Sequence, residues 1–460
     1  MKIYNTLTSQ KEEFAPLEKN NVKMYLCGPT VYDLGHLGHA RSALSFDIMR
    51  KYLKFKGYNV IFASNYTDID DKMINRAKEK NISVKNLADL IIPEYEKDYQ
   101  ALNIDKPDFQ PKATEHVESI IKIIEKLLEK GFAYKTDDGV YFDVLKFNEY
   151  GKLSKQRLED LEAGARISVI EQKKSPHDFV LWKNYKEGEP FWESPFGKGR
   201  PGWHIECSAM NLDLFGETID IHGGGADLIF PHHEDEIAQS EAYSGKQFAR
   251  FWVHNGFVQI NEEKMSKSLG NFKTIRDVLN NYSGDVIRYL LITTHYRSPI
   301  NFSEKLLIQA KNGLERINDF IRQMQLIDLD GRESKEIQKL LDKTKNKFIK
   351  SMDNDFEITG AFAGIFDLIK EVYVNHNDIK ITKIEAENIL NLFKELNQVL
   401  GIMKFEVEEI PEEILKLVKA REEAREERDF QKSDKIREEI KIKGFEVEDT
   451  KDGSLVKKVG

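Results

Sequence analysis

The sequence predicts an α/β protein built on a parallel sheet, followed by a helical bundle and a small C-terminal α+β end. Three observations carry that expectation. A buried strand pattern, a helix and a second strand follow one another early in the chain. The αβ texture then lapses and returns about a hundred residues later, as an insertion between two halves would make it do. Beyond about Ser303 the pattern is almost wholly amphipathic helix. Strand, helix and parallel strand in quick succession form a nucleotide-binding unit, so the first domain is expected to be Rossmann-type.

In order along the chain, NVKMYLCGPTVYDLG reads as a strand through Val22, Met24 and Leu26 that breaks at Gly28-Pro29. A helix follows, with Leu37, Ala40, Leu44 and Ile48 on one face, and ends near Gly57. YNVIFASNYTDID is the second strand. HVESIIKIIEKLLEKG is a helix with a glycine stop. Short strands, glycines and aromatics then mark the insertion, before WHIECSAMNLDLFG and IDIHGGGADLIFPHHEDEIAQS restore the αβ pattern. FWVHNGFVQI leads as a strand into the loop NEEKMSKSLGNF. KLLIQAKNGLERINDFIRQMQLI and ENILNLFKELNQVLGIM are bundle helices, and KAREEAREERDFQKSDKIREEIKIKG is a charged helical run whose solvated face needs no further role.

Composition narrows the class. The 460 residues are too many for one core and imply roughly three domains. At 40% hydrophobic and 32% charged residues, collagen-like, low-complexity and wholly disordered chains are excluded. The N-terminal MKIYNTLTSQKEEF lacks the apolar core of a signal peptide, and no apolar run approaches the ~20 residues that span a bilayer. A cytoplasmic protein with no membrane partner is expected. The net charge of −9 disfavours non-specific polyanion binding, although local basic patches stay compatible with it. The two cysteines, Cys27 and Cys207, are too few for a disulfide framework. On count alone, buried packing, a reactive thiol and metal ligation are all open.

Three motifs bear on chemistry. His36-Leu37-Gly38-His39 stands where the first strand hands over to the first helix, whose N-terminal N–H groups suit phosphate. His36 and His39 are expected on one helix face, able to donate to one anion, and Gly38 leaves room for a nucleotide. Lys264-Met265-Ser266-Lys267, beside Gly270, offers two lysines as a mobile cationic clamp for charge built up on phosphates. The third constellation is Cys207, in Gly202-Trp203-His204-Ile205-Glu206-Cys207, with Pro231-His232-His233-Glu234-Asp235-Glu236. A helix is expected to start at Pro231. His232 then shares a face with Glu236, whereas His233 shares one with Ile237. With Cys27 and Cys207 this makes an S2NO set appropriate for zinc. A charged helix start beside two core thiols stays open on spacing alone.

MYLCGPTVYDLGHLGHARS, NYTDIDDK, GRPGWHIECSAM, IDIHGGGADLIFPHHEDEIAQS and KMSKSLGN together resemble the cysteinyl-tRNA synthetase family of class I aminoacyl-tRNA synthetases, in order along the whole chain. The resemblance implies cysteine–tRNA ligase activity. L-cysteine and ATP give cysteinyl-adenylate, and the acyl group passes to the 3′-terminal adenosine of tRNA(Cys). It implies Zn2+ on Cys27, Cys207, His232 and Glu236, and Mg2+ with ATP. His36 and His39 are assigned to the α-phosphate, Lys264 and Lys267 to the departing phosphates, and Gly28 and Gly38 to the ATP site. Thr67, Trp203, His222 and Asp227 would line the amino-acid pocket, Asp227 meeting the substrate ammonium. Trp203 as a core aromatic and Asp227 as a helix cap are the plainer alternatives.

The implied organisation is a Rossmann-type catalytic domain in two halves (1–105 and 201–250) around a connective insertion (106–200). A KMSKS-loop linker (251–310), a tRNA-binding helical bundle (311–405) and an anticodon-binding end (406–460) follow, in a monomer. The insertion is short and has no evident editing domain. A soft cation would discriminate against serine without one, since a plain pocket separates near-isosteres by only ~1–3 kcal/mol. Two departures stand out. Gly453-Ser454-Leu455 has leucine where relatives usually carry an aromatic, and Lys72-Met73-Ile74-Asn75 lacks the second lysine linked in relatives to persulfide formation. Rival readings are a cysteine ligase acting on a small amino-sugar acceptor and a non-catalytic tRNA- or zinc-binding module. A zinc hydrolase is disfavoured because no H-E-x-x-H is present.

Overall fold

Strands β1 (Lys2–Asn5) and β2 (Gln10–Glu13) form an antiparallel hairpin ahead of the main sheet. That sheet takes β3 (Asn21–Leu26), β4 (Asn59–Ser64), β9 (Ile219–Gly225) and β10 (Ala249–Asn255), all parallel, in the order β10-β9-β3-β4. Chain order reverses about β3, so the carboxyl ends of β3 and β9 flank the crevice where parallel sheets bind ligands. Register pairs Tyr25 with His222 and Leu26 with Gly223. A side chain on Gly223 would meet the Val253 carbonyl and the Phe46 ring, which only glycine avoids.

The computed structural model describes residues 1–157, 173–260, 263–264, 273–375, 381–406, 410–450 and 453–458. Helix α1 (Leu37–Phe55) crosses between β3 and β4. Helices α2 (Asp71–Lys80), α3 (Val84–Ala101) and α4 (Val117–Glu129) follow. The insertion folds as an antiparallel sheet of β5 (Ala133–Lys135), β6 (Gly139–Phe142), β7 (Phe179–Asn184) and β8 (Gly199–Pro201). Helix α5 (Trp203–Phe215) returns the chain to the parallel sheet, and α6 (Glu234–Ser244) joins β9 to β10. Tyr25, Ala63 and Trp252 form one cluster with Cys207, Met210 and Ile237 from these two helices. Both faces of the sheet are covered, as parallel strands require.

After β10 come β11 (Val258–Ile260), β12 (Glu263–Lys264), α7 (Ile275–Leu279), α8 (Gly284–Ile292) and β13 (Ile300–Phe302). The bundle consists of α9 (Glu304–Leu326), α10 (Lys335–Met352), α11 (Ile358–Asn375) and α12 (Lys383–Leu400). Its apolar stripes meet through Phe320, Phe348, Ile365 and Phe393, all buried. Two compact units result, Met1–Met403 and Lys404–Gly460. The second comprises α13 (Glu412–Glu426), α14 (Phe430–Ile442) and the hairpin of β14 (Phe445–Thr450) and β15 (Gly453–Lys458). Its buried Arg421 holds Asp449 through two bonds of 2.7 and 2.9 Å. The side chain of Leu455 lies outside the described residues. No helix among the described residues is long and apolar enough to cross a membrane.

Buried charges join the bundle to α1 and β1 within the first unit. Arg288 of α8 is fully buried and donates to Asp47 of α1 at 2.7 Å, to the Leu400 carbonyl at 2.7 Å and to the Asn103 carbonyl at 2.6 Å. Asp355, equally buried, accepts from the Tyr4 backbone, Tyr296 and Arg297. Removing one partner of such a set leaves the other charged and dehydrated. Arg288→Met is expected to cost about 3 kcal/mol and to lower the urea midpoint of the first unit. An unchanged midpoint would show that Lys51, 3.0 Å from Asp47, suffices to hold that carboxylate.

Candidate functional site

The site is assembled at the carboxyl edge of the parallel sheet. Cys27 extends β3 by one residue, its N–H bonded to the Gly223 carbonyl at 3.0 Å. The Gly28 N–H donates to Asn65 Oδ1 at 2.8 Å, and a Cβ on Gly28 would lie 1.7 Å from the Asn65 carbonyl oxygen. Glycine is needed there because the ends of β3 and β4 touch.

His36 is the N-cap of α1 (φ −111°, ψ 169°), not a residue within the helix. Its Nδ1 accepts from the Gly38 N–H at 3.0 Å and the His39 N–H at 3.4 Å, while the His36 N–H faces His39 Nδ1 at 3.4 Å. This is a reciprocal capping box built from two imidazoles. The expectation of two histidines side by side on one helix face therefore changes. The extended dihedrals of His36 fold its ring back over the first turn, stacked on His39 with centroids 3.6 Å apart. Residues 273–275 add to the same junction: Leu37 donates to the Lys273 carbonyl and Ile275 to the Gly35 carbonyl. The side chain of Lys264 and the whole of Lys267 lie outside the described residues.

A cavity of about 690 Å³ opens here. Cys27, Gly28, His36, Gly38 and His39 line it together with Trp203 and Asp227. Trp203 is 38% exposed and stacks on His232 with centroids 4.4 Å apart, so it is a wall of the cavity and not a core aromatic. Thr67 and His222 are absent from the lining. Thr67 is buried, its N–H on the Pro29 carbonyl. His222 is fully buried behind Cys27, with Nε2 3.5 Å from the Cys27 sulfur and 3.1 Å from Glu236 Oε2.

The two cysteines, remote in sequence, meet. One donor atom from each of Cys27, Cys207, His232 and Glu236 lies within 4.8 Å of the others, and all four residues are buried. Cys27 Sγ is 3.1 Å from Glu236 Oε1, and His232 Nε2 is 2.9 Å from the same oxygen. The regular part of α6 begins at Glu234, later than the expected start at Pro231, yet His232 and Glu236 still share a face. Cys27, His222, His233 and Glu236 form a second, overlapping group. In it, His233 Nε2 stands 3.9 Å from Glu236 Oε1, farther than the 2.9 Å of His232 Nε2. The first group unites both thiols and is the softer donor set.

Electrostatics fit a cation there. Burial pushes the Cys27 thiol up, whereas a hydrogen bond from Cys27 holds Cys207 below its usual value. Burial would raise Glu236, but His222 and His232 keep it well below the carboxylate range. Burial would lower His232, but Glu236 and Cys207 lift it to about 10. Anionic donors compressed into a dry site are stabilised by an imidazolium or by a metal ion.

A supporting chain escaped the sequence reading. His232 Nδ1 is 2.9 Å from His204 Nδ1, and His204 Nε2 is 3.4 Å from Asp235 Oδ2. Asp235 Oδ1 accepts from Tyr150 at 2.5 Å. If His232 presents Nε2 to a metal, its Nδ1–H donates to His204, which in turn donates to Asp235; such outer partners fix ligand orientation. His204 and Asp235 flank the ligands in their motifs and were within reach of that logic. Tyr150, from the insertion, gave no sequence signal. His204→Ala is expected to weaken binding of a divalent metal about 10-fold in competition with a chelator, with His116→Ala as an unaffected control. Equal affinity in the two variants would remove His204 from this support.

Comparison with known proteins bears on the family and the fold. A family described as tRNA synthetases class I (C) catalytic domain matches residues 13–312, and a DALR domain matches 347–404. Among solved structures, Mycobacterium tuberculosis methionyl-tRNA synthetase in complex with methionyl-adenylate is 14% identical, with a TM-score of 0.60 over 82% of this chain and 89% of that one. A putative arginyl-tRNA synthetase from Campylobacter jejuni is 13% identical (TM-score 0.56, 85% and 95% covered). The Agrobacterium radiobacter K84 agnB2 LeuRS, in a ternary complex with tRNA and LeuAMS, is 11% identical (TM-score 0.63, 85% of each chain). At such identities the structural likeness is one of fold, whereas the sequence match spans well over half of the chain. With its parallel sheet, imidazole-capped helix and helical C-terminal region, the chain belongs to the class I tRNA synthetases.

Proposed function

We propose that the protein is a cysteine–tRNA ligase, which activates L-cysteine with ATP and transfers it to the 3′-terminal adenosine of tRNA(Cys). The observation that supports this most is the S2NO cluster that reaches, through Cys27, the cavity also lined by the two imidazoles. Cys27 belongs to both. A zinc ion held by Cys27, Cys207, His232 and Glu236 supplies a soft Lewis acid that favours a thiolate over a hydroxyl. That preference separates cysteine from serine where shape alone does so poorly.

The chain's own residues then orient the reactants. Asp227, on the cavity wall, meets the substrate ammonium, and Trp203 closes the amino-acid side while its indole holds the His232 ring in place. The substrate carboxylate attacks the α-phosphorus of ATP, and pyrophosphate leaves with Mg2+. His36 and His39 donate to the α-phosphate oxygens beside the N-terminus of α1, where the helix dipole favours negative charge. Lys264 and Lys267 offset charge on the departing phosphates. Gly28 and Gly38 keep the floor of the ATP site low, while Thr67 and His222, buried outside the lining, back the amino-acid side, His222 from behind Cys27. Transfer to tRNA then uses the bundle (311–405) and the C-terminal end (406–460) as binding surfaces.

The test is amino-acid-dependent ATP–pyrophosphate exchange, run beside metal analysis of the purified protein. Zinc in the protein and exchange with cysteine, against little with serine, methionine, leucine or arginine, are expected. Cys207→Ser should lose both zinc and cysteine selectivity. Lys267→Ala should retain zinc but slow exchange about 100-fold. Exchange driven by another amino acid, or cysteine selectivity surviving removal of the metal, would overturn the assignment.

A further inference from the structure

Helix α3 reaches the imidazole pair through one side chain that no motif contains. Tyr95 is 1% exposed, and its hydroxyl lies 3.1 Å from His39 Nδ1. Its ring packs under Gly35, where a Cβ would stand 3.0 Å from Tyr95 Cε1, and lies tilted against His39 with centroids 5.6 Å apart. The helix that carries it is anchored nearby: Arg276 of α7 donates to Asp98 at 3.0 Å and pairs with Glu94. Tyr95 therefore has little freedom to leave His39.

The direction of this hydrogen bond follows from a third group. The His36 backbone N–H, which can only donate, faces the same Nδ1 at 3.4 Å. A protonated Nδ1 would set two N–H groups against each other and break the capping box, so Nδ1 carries a lone pair. The hydroxyl then donates to it. Burial, reinforced by Tyr99 and Tyr32, pushes the phenol well above its usual range, so its proton stays available.

We propose that Tyr95 is a positioning residue for the activation step, whose hydroxyl fixes the His39 ring as the tautomer that donates from Nε2. His36 is fixed in the same sense by the Gly38 and His39 N–H groups on its own Nδ1. The pair thus serves as two neutral N–H donors of set orientation. Two stacked imidazolium rings would repel each other and lose the cap. The inference deepens the adenylate reading above by assigning how its α-phosphate donors are oriented. It adds a requirement lying outside the HxGH stretch, on a helix distant in sequence.

Tyr95→Phe keeps the ring and its packing while removing the hydroxyl, and Tyr141→Phe serves as control, since it loses a comparable bond to Asp138 in the insertion. Two readouts are taken on the full chain. In 15N NMR of histidine-labelled protein without substrate, with His39→Asn used for assignment, His39 is expected as the Nε2–H tautomer in the parent and as a mixture in Tyr95→Phe. In cysteine-dependent exchange, kcat should fall about 10-fold with little change in the KM for ATP, and Tyr141→Phe should match the parent. An unchanged His39 tautomer, or an unchanged kcat beside a lowered melting temperature, would make Tyr95 a packing residue only and overturn the proposal. The NMR readout needs no amino acid, so failure of the cysteine assignment is distinguishable from failure of this one.

Discussion

Two thiols, an imidazole and a carboxylate are forced together in a dry space at the end of a parallel sheet, and much of the surrounding structure answers that constraint. Polar groups taken out of water must find partners, and anionic ones must find positive charge. Cys27 ends β3, Cys207 sits on α5, and His232 and Glu236 flank the start of α6, so three separate elements must hold their register for the donors to meet. Around them, His204, Asp235 and Tyr150 carry the polarity outward to the insertion. Trp203 shields His232 on the cavity side. The insertion is thereby more than a spacer, since one of its tyrosines ends this chain.

The imidazole-lined part of the cavity is organised differently, by backbone geometry more than by charge. A helix N-terminus leaves several N–H groups without partners. Here the cap that satisfies them is imidazole, not serine or aspartate, so the groups that finish the helix are also able to face a ligand. Residues 273–275 bond along the same turn, bringing the exit of the KMSKS stretch to the histidines. Helix α3 joins from the side through Tyr95 and Arg276. The S2NO cluster, through Cys27, and the imidazole pair thus share one cavity while being supported by different parts of the chain.

Buried charges stand among the links between the bundle and the rest of the first unit, beside aromatic contacts such as those of Phe348 with Tyr52 and Phe55. Arg288 and Asp355 each gather groups from segments far apart in sequence. Such links contribute modest net stability but penalise misplacement heavily, because any shift strands a buried charge. They hold the helices beside α1, whose first turn carries the imidazoles, and so keep the cavity edge and the bundle in fixed relation within the first unit.

Much was determined by the sequence alone. Apolar periodicity set the strands, helices and insertion, because burial of one face repeats at the period of the element. Helical spacing also singled out His232 over His233 as the partner of Glu236. Tertiary structure decided what periodicity does not encode. It put His36 at a cap instead of on a helix face, moved Thr67 and His222 behind the cavity wall, brought Tyr95 to His39 and His204 to His232, and set Tyr150 on Asp235. The physical reason is range: the 3.6- and 2-residue periods report a residue's own element, whereas a hydrogen bond between distant segments depends on where sheet order and loop closure place both ends.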